Sequence, residues 1–288
     1  MKNFDVLYGD GDVTSPVGFQ ASGVYCGLKR KNKDIALLLS DGPAQVAAMF
    51  TTNKVPAHCV AYNKERVAAG SARALIVNAG NANCCTGEQG KKDNMALAQH
   101  TGDKLGLAAD DVLVLSTGVI GELMPMDKIL TGVDMAVEAL SSDGGLDAAH
   151  AIMTTDTGPK HFSAQFELDG TTCTIGAMSK GSGMIHPNLA TMFGIFTTDV
   201  NISNELLDEA FRAAIHESFN MMTVDGETST NDTVLILANG AAGNDKISEK
   251  NDNYEKFAAA LKELAIKASQ AIARDGEGAT KLVTVNVT

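Results

Sequence analysis

Short apolar runs alternate along the chain with loops of small polar residues, and this punctuation predicts most of the elements. Ala74-Leu-Ile-Val77 leads into Asn78-Ala-Gly-Asn-Ala-Asn83, and Val112-Leu-Val-Leu115 leads into Ser116-Thr-Gly-Val-Ile-Gly121. Apolar runs of this length, ended by Gly and Asn, read as buried strands whose tips approach a ligand. Phe162, Ala164, Phe166 and Leu168 alternate up to Asp169-Gly170, and Thr172, Thr174 and Gly176 follow. That is the pattern of a hairpin closed by a type I′ turn. Over residues 203–219, Leu207, Phe211, Ala214, Ile215 and Phe219 fall on one helical face. Over 254–272, Phe257, Leu261, Leu264, Ala268 and Ile272 do the same, before Gly276 stops the helix. Strands and helices mix without strict βαβ alternation, which favours an α+β layered fold over a doubly wound parallel one. Val283, Val285 and Val287 alternate like a half-buried strand, and the chain stops at Thr288 within that pattern. The expectation is a truncated end.

At 288 residues core material is not limiting, since about 75% of the unfolded surface of a chain this size can be buried. The apolar runs are far shorter than the ~20 residues of a membrane span. The start, Met1-Lys2-Asn3-Phe4-Asp5, lacks the basic and apolar regions of a secretory signal, so a cytoplasmic protein is expected. A net charge of −12 argues against nucleic-acid or anionic-membrane partners. The one basic run, Lys29-Arg30-Lys31, is expected to be a solvated turn. Cys26, Cys59, Cys84, Cys85 and Cys173 are an odd set without metal-ligand spacing, which fits inert thiols in a reducing compartment.

Standard catalytic templates mostly fail. Lys180-Gly-Ser-Gly183 has its lysine ahead of the glycines, the wrong order for a phosphate-binding loop, and Gly276-Glu-Gly-Ala-Thr-Lys281 lacks the spacing. The histidines form no His-Glu-x-x-His arrangement, so no metal site is expected. No Gly-x-Ser-x-Gly elbow occurs. What stands out is Lys180-Gly-Ser-Gly-Met-Ile-His-Pro-Asn-Leu-Ala-Thr-Met192, a Gly-rich polar segment running into apolar Met192-Phe-Gly-Ile-Phe196. Small residues ahead of a threonine suit a strained peptide bond whose carbonyl that threonine attacks. The plainer reading, which the residues alone favour, is a tight turn into a buried strand.

A wider set of blocks decides between these. Val13-Thr-Ser-Pro-Val-Gly-Phe-Gln-Ala21, Phe50-Thr-Thr-Asn-Lys54, Asn78 to Asn83, Ser116 to Gly121, Met153-Thr-Thr-Asp-Thr157, Lys180 to Met192, Thr223-Val-Asp-Gly-Glu-Thr-Ser-Thr-Asn-Asp-Thr233 and Arg274-Asp-Gly-Glu-Gly-Ala-Thr-Lys281 occur in this order. Together they resemble the ornithine acetyltransferase family (bifunctional glutamate N-acetyltransferase, ArgJ), from Val13 through the last residue. The resemblance implies a layered α/β sandwich of the self-cleaving, DmpA/ArgJ-like, N-terminal-nucleophile type. It divides the chain into an α-chain region, 1–190, and the N-terminal part of a β-chain region, 191–288, with autocatalytic cleavage between Ala190 and Thr191.

Thr191 is then the nucleophile, Thr117 and Gly118 stabilise the oxyanion, and Thr154, Lys180, Thr191 and Glu277 bind substrate. The implied reaction moves acetyl from N-acetylornithine to glutamate through acetyl-Thr191, in arginine biosynthesis. No metal or prosthetic group is implied, and acetyl-CoA serves as a donor in bifunctional members only. The implied assembly is an α2β2 heterotetramer, without nucleic acid or membrane. Asp225, Glu227, Asn231 and Asp232 are expected to support the site structurally. The family normally continues beyond the position of Thr288 with an Asn and a Ser or Thr that bind substrate, and it often has a small residue such as Ala at Cys84. Two other readings stand beside this one: an N-terminal-nucleophile aminopeptidase or amidase, and an inactive fragment.

Overall fold

The computed structural model describes residues 4–186 and 192–286. Among them nine strands and six α-helices build one sheet folded on itself and covered outside by helices. The strands are β1 (Val6–Gly9), β2 (Phe19–Val24), β3 (Ile35–Phe50), β4 (Ser71–Asn81), β5 (Val112–Val119), β6 (Lys160–Leu168), β7 (Thr171–Lys180), β8 (Phe193–Thr198) and β9 (Thr233–Ala238). The helices are α1 (His58–Ala68), α2 (Gly87–Leu105), α3 (Met126–Glu138), α4 (Gly145–Ile152), α5 (Asn204–His216) and α6 (Asp252–Arg274).

Strand order is β1-β6-β7-β8-β9-β3-β4-β5, with β2 also on β3. The β4–β5 and β8–β9 pairs are parallel and the others antiparallel. The 16-residue β3 joins the two halves. Its first part pairs with β2 and β4, the register breaks between Leu39 and Ala44, and its last part pairs with β9. Such a break bends a strand, so each half can turn one face inward.

Three apolar clusters follow from that bend. The inner one joins Leu38, Val46, Leu75, Val77, Leu113 and Leu115 to Met178, Phe193, Ile195, Leu235 and Leu237, with α4 packed at its side. Alternate residues of the same strands point outward, as a period of two requires. Ile35, Leu37, Ile76, Val112 and Val114 pack under α1, α2 and α3, while Phe166, Phe196, Val234 and Ile236 pack under α5 and α6. The layers are therefore helix, sheet, sheet, helix, which is the predicted α+β sandwich.

The local expectations fare unevenly. The hairpin is β6–β7, and Asp169 (φ 47°) and Gly170 (φ 84°) take the positive angles of a type I′ turn. Both periodic helices form, α5 capped by the Ser203 hydroxyl on Leu206 N–H and α6 by the Asn251 side chain on Tyr254 N–H, with every predicted core residue buried. β4 and β5 run further than their apolar cores, because Asn78 and Ser116 continue the parallel ladder and satisfy each other's polar groups (Ser116 Oγ to Asn78 Oδ1, 2.7 Å). The C-terminal strand expectation is corrected: residues 281–286 form no strand, and Val283 and Val285 are 75% and 78% exposed. No described strand edge pairs with them, and alternation alone cannot bury a segment without a neighbour. Val287, the third residue of that pattern, lies outside the described residues.

Phe196 sits fully buried where its ring meets Phe211 and Phe219 edge to face, each at 6.1 Å between centroids. Phe196→Ala should destabilise the fold by about 3–5 kcal/mol, measured as the shift in a denaturant-unfolding midpoint at unchanged slope.

Candidate active site

The bend in β3 brings the tips of both half-sheets to one cleft of about 580 Å³. Its walls include Gly80 at the end of β4, Thr117, Gly118 and Val119 at the end of β5, Thr154 just after α4, Lys180 at the end of β7 and Glu277 just after α6. All five described residues that the resemblance marks (Thr117, Gly118, Thr154, Lys180 and Glu277) thus meet in one place, from four separate stretches of chain. Ala190 and Thr191 lie outside the described residues. The next residue is described: Met192 is buried, and its N–H donates to Asp232 Oδ1 at 2.7 Å. Phe193, which follows, pairs in register with Lys180.

Close packing of β4 against β5 dictates the backbone at the oxyanion candidates. Gly118 has φ 134°, and a Cβ there would stand 2.3 Å from the Gly80 carbonyl carbon. Only glycine fits so tight an approach. Asn231 bolts the same corner, its Nδ2 donating to Ala82 O (2.7 Å) and Ser116 O (2.6 Å).

A buried network sets the other wall. The Asp156 side chain, 0% exposed, accepts from Lys160 Nζ (2.7 Å), Gly181 N–H (2.8 Å) and Thr154 N–H (3.0 Å). Lys160 Nζ also donates to Asp275 Oδ2 (2.6 Å), and Ser182 Oγ donates to Asp275 O (2.7 Å). Glu277 N–H donates to Ser182 O at 2.6 Å. Thr154, Lys180 and Glu277 are therefore each fixed within one or two residues of this network. Lys180 Nζ lies 3.3 Å from Thr154 Oγ1, and 5.4 Å from the centre of the Phe193 ring.

Burial and charge shape the titrating groups. Burial lowers the Lys180 ammonium pKa, against the pull of Asp156 and Asp232. Burial likewise pushes the Asp232 carboxyl up to about 8, although the Met192 N–H bond and the Lys180 charge act the other way. Its second oxygen has no hydrogen-bond partner among the described residues. For Asp156 the order reverses. Burial raises its pKa, but the charges of Lys160 and Lys180 and the bonds from Lys160 and Gly181 outweigh that and hold the carboxyl below the ordinary value. Asp225 is also held low against partial burial, by the N–H groups of Glu227, Met184 and Ile185. Asp225 thereby anchors the segment that leads toward residue 191, while Glu227 lines the cleft.

Comparison with known proteins assigns this arrangement. The family profile described as ArgJ family matches residues 20–288. The arginine biosynthesis bifunctional protein ArgJ of Symbiobacterium thermophilum is 51% identical over 280 residues, covering 96% of this chain and 70% of that protein. The chain belongs to the ArgJ family. Solved ArgJ-type structures agree: the ornithine acetyltransferase of Mycobacterium tuberculosis, crystallised with ornithine, is 39% identical at a TM-score of 0.60, over 64% of this chain and 98% of the matched one. The L-aminopeptidase D-Ala-esterase/amidase of Ochrobactrum anthropi, a variant of the Ntn hydrolase fold, shares the fold at a TM-score of 0.54 and 13% identity, over 93% of this chain and 88% of its own. The layered sandwich of this ArgJ member is thus an Ntn-type fold.

Sequence reasoning missed part of the cleft. Lys29, expected in a solvated turn, is half-buried, lines the cleft and donates to Met153 O at 2.9 Å. Its neighbours Arg30 and Lys31 are exposed as expected. The Asp156–Lys160–Asp275 network was also missed. A lysine four residues after an aspartate was its one local signal, and such pairs usually lie on surfaces.

Asp156→Asn tests the network in this ArgJ protein. A depressed carboxyl contributes stability above its unfolded pKa of ~3.9 and loses it as pH falls through the still lower folded value. The variant should be less stable than wild type by about 3 kcal/mol at neutral pH, with the gap closing below about pH 4. Unfolding midpoints across pH 3–8 measure this.

Proposed function

We propose that the protein is an ornithine acetyltransferase that cuts itself between Ala190 and Thr191 and then carries acetyl on the Thr191 hydroxyl. The observation that carries this reading is the convergence of Thr117, Gly118, Thr154, Lys180 and Glu277 on one cleft, next to the buried start of β8. Chain lengths support it as well. The matched Mycobacterium tuberculosis chain is about 190 residues long, since 64% of these 288 residues account for 98% of it. A polypeptide of that length is what scission before Thr191 leaves.

In the cleavage step the Thr191 hydroxyl attacks the Ala190 carbonyl carbon, the peptide C–N bond breaks, and water hydrolyses the resulting ester. This frees an α-amine with an ordinary pKa near ~8, able to take the hydroxyl proton at neutral pH. In transfer, the Thr191 oxygen attacks the acetyl carbonyl of N-acetylornithine. Thr117 and the Gly118 N–H, at the close β4–β5 approach, bind the negative tetrahedral oxygen. Collapse breaks the bond to ornithine, whose amine leaves with the proton. The amine of glutamate then attacks acetyl-Thr191, and the threonine is regenerated. Asp232 steadies the backbone right after the nucleophile through its bond to Met192 N–H.

No metal or prosthetic group enters this scheme, and acetyl-CoA is a second donor if the protein is bifunctional. The two pieces are proposed to stay together as the α and β chains of an α2β2 assembly, in the cytoplasm. Among the described residues no helix is long and apolar enough to cross a membrane.

Mass spectrometry of the purified protein should find one piece of 190 residues and another holding the remaining 98 of the 288. Thr191→Ala should leave a single chain. If that variant is still cut at the same bond, the scission is not the chain's own. Ornithine release from N-acetylornithine should require glutamate; release indifferent to glutamate would instead mark an amidase. Thr117→Ala should cut and fold yet lower kcat about 10²–10³-fold in the same assay.

A further inference from the structure

The charges in the cleft are sorted. Lys29, Lys180 and Thr154 cluster on one side: Lys180 Nζ is 3.3 Å from Thr154 Oγ1, and Lys29 Nζ is bonded to the carbonyl of the preceding residue, Met153. Glu277 and Asp225 flank Gly183, where a Cβ would stand 2.8 Å from Glu277 Oε2 and 3.7 Å from Asp225 Oδ2. One cleft therefore offers ammonium groups in one part and carboxylates in another.

Lys29 is held for a purpose its own loop does not need. The backbone N–H groups of Cys26, Gly27, Leu28 and Lys29 all converge on the carboxylate of Asp34, at 2.7–3.1 Å, and Asp34 is fully buried. That wrap fixes the loop without the lysine side chain. The side chain instead reaches the C-terminal end of α4, donating to Met153 O at 2.9 Å and Ala151 O at 3.4 Å. Carbonyls at a helix end favour a cation there. An ammonium has three donors, so one remains for a ligand. Among the described residues neither Lys29 nor Lys180 forms a salt bridge, and Asp156 and Asp275 both pair with Lys160. Burial lowers the Lys29 pKa, and the nearby Lys180 charge lowers it further against Asp34 and Asp156. A bound anion relieves that repulsion.

We propose that Lys29 is a specificity-determining residue that, together with Lys180 and Thr154, receives the α-carboxylate of the amino-acid substrates. The assignment rests on the acetyltransferase reading for the identity of those substrates. The donor and the acceptor of that reaction both carry an α-carboxylate, so one ammonium pair serves both half-reactions. The opposite part of the cleft, with Glu277, is left for the side-chain ammonium of ornithine.

Calorimetric titration with two ligands tests this without turnover: ornithine, and 1,4-diaminobutane, which is ornithine with hydrogen in place of its carboxylate. Wild type should bind ornithine more tightly. Lys29→Met should weaken ornithine about ten- to a hundredfold and leave 1,4-diaminobutane unchanged, while Lys29→Arg keeps most of the preference. In the transfer assay the Met variant should raise KM for both N-acetylornithine and glutamate, with kcat within a few-fold of wild type.

Equal weakening of both ligands would mean that Lys29 only braces α4 and would overturn the proposal. So would an unchanged ornithine affinity in the Met variant, or a wild type that does not prefer ornithine. A wild type that prefers ornithine but transfers no acetyl to glutamate would defeat the acetyltransferase reading alone, because the titration still reports on Lys29.

Discussion

The carboxylate of Asp156 is the constraint from which the cleft is built. It lies where α4 ends, β6 begins and β7 ends, and it takes a donor from each: Thr154 N–H, Lys160 Nζ and Gly181 N–H. Through Lys160 it reaches Asp275, beyond α6. A buried charge is tolerated only when its partners are in place, so these four segments hold one another in register. Thr154, Lys180 and Glu277 inherit their positions from that mutual requirement.

A second tension runs through the groups nearer the start of β8. Lys180 and Asp232 are both buried, and burial shifts each toward its neutral form, the lysine downward and the carboxyl upward to about 8. Burial therefore works against the charged forms of both groups near the start of β8, whereas the charges and hydrogen bonds around Asp156 favour its ionised form. The two behaviours come from the same residue types. What separates them is the company each carboxylate keeps: Asp156 has the charges of Lys160 and Lys180 beside it and three donors on its two oxygens, while one oxygen of Asp232 finds no donor among the described residues.

The hairpin and the two long helices were legible because their signals are local. A β6–β7 turn needs positive φ at two adjacent residues, and Asp169-Gly170 supplies it; α5 and α6 need one apolar face and an N-cap, and both are written within a few turns. Thr117, Gly118, Thr154, Lys180 and Glu277 were singled out through the order of the family's blocks, and their meeting in one cleft is a property of the folded sheet that no periodicity reports. Lys29 was misread because a run of Lys-Arg-Lys looks solvated whichever member turns inward. The Asp156–Asp275 link joins residues 119 positions apart through one lysine, and nothing in either neighbourhood announces it. The valines of the last segment failed in the opposite sense, since their alternation is real but no described strand pairs with them.

β8 has a hydrogen-bonded neighbour along both of its edges, antiparallel β7 on one side and parallel β9 on the other, with six residue pairs to each. The strand just before any break at residue 190 and the strand just after it are thus riveted together by the sheet, and the inner and outer cores close over both. Severing the backbone there would leave both of these ladders in place. The two polypeptides would behave as one body until a denaturant pulled the sheet apart.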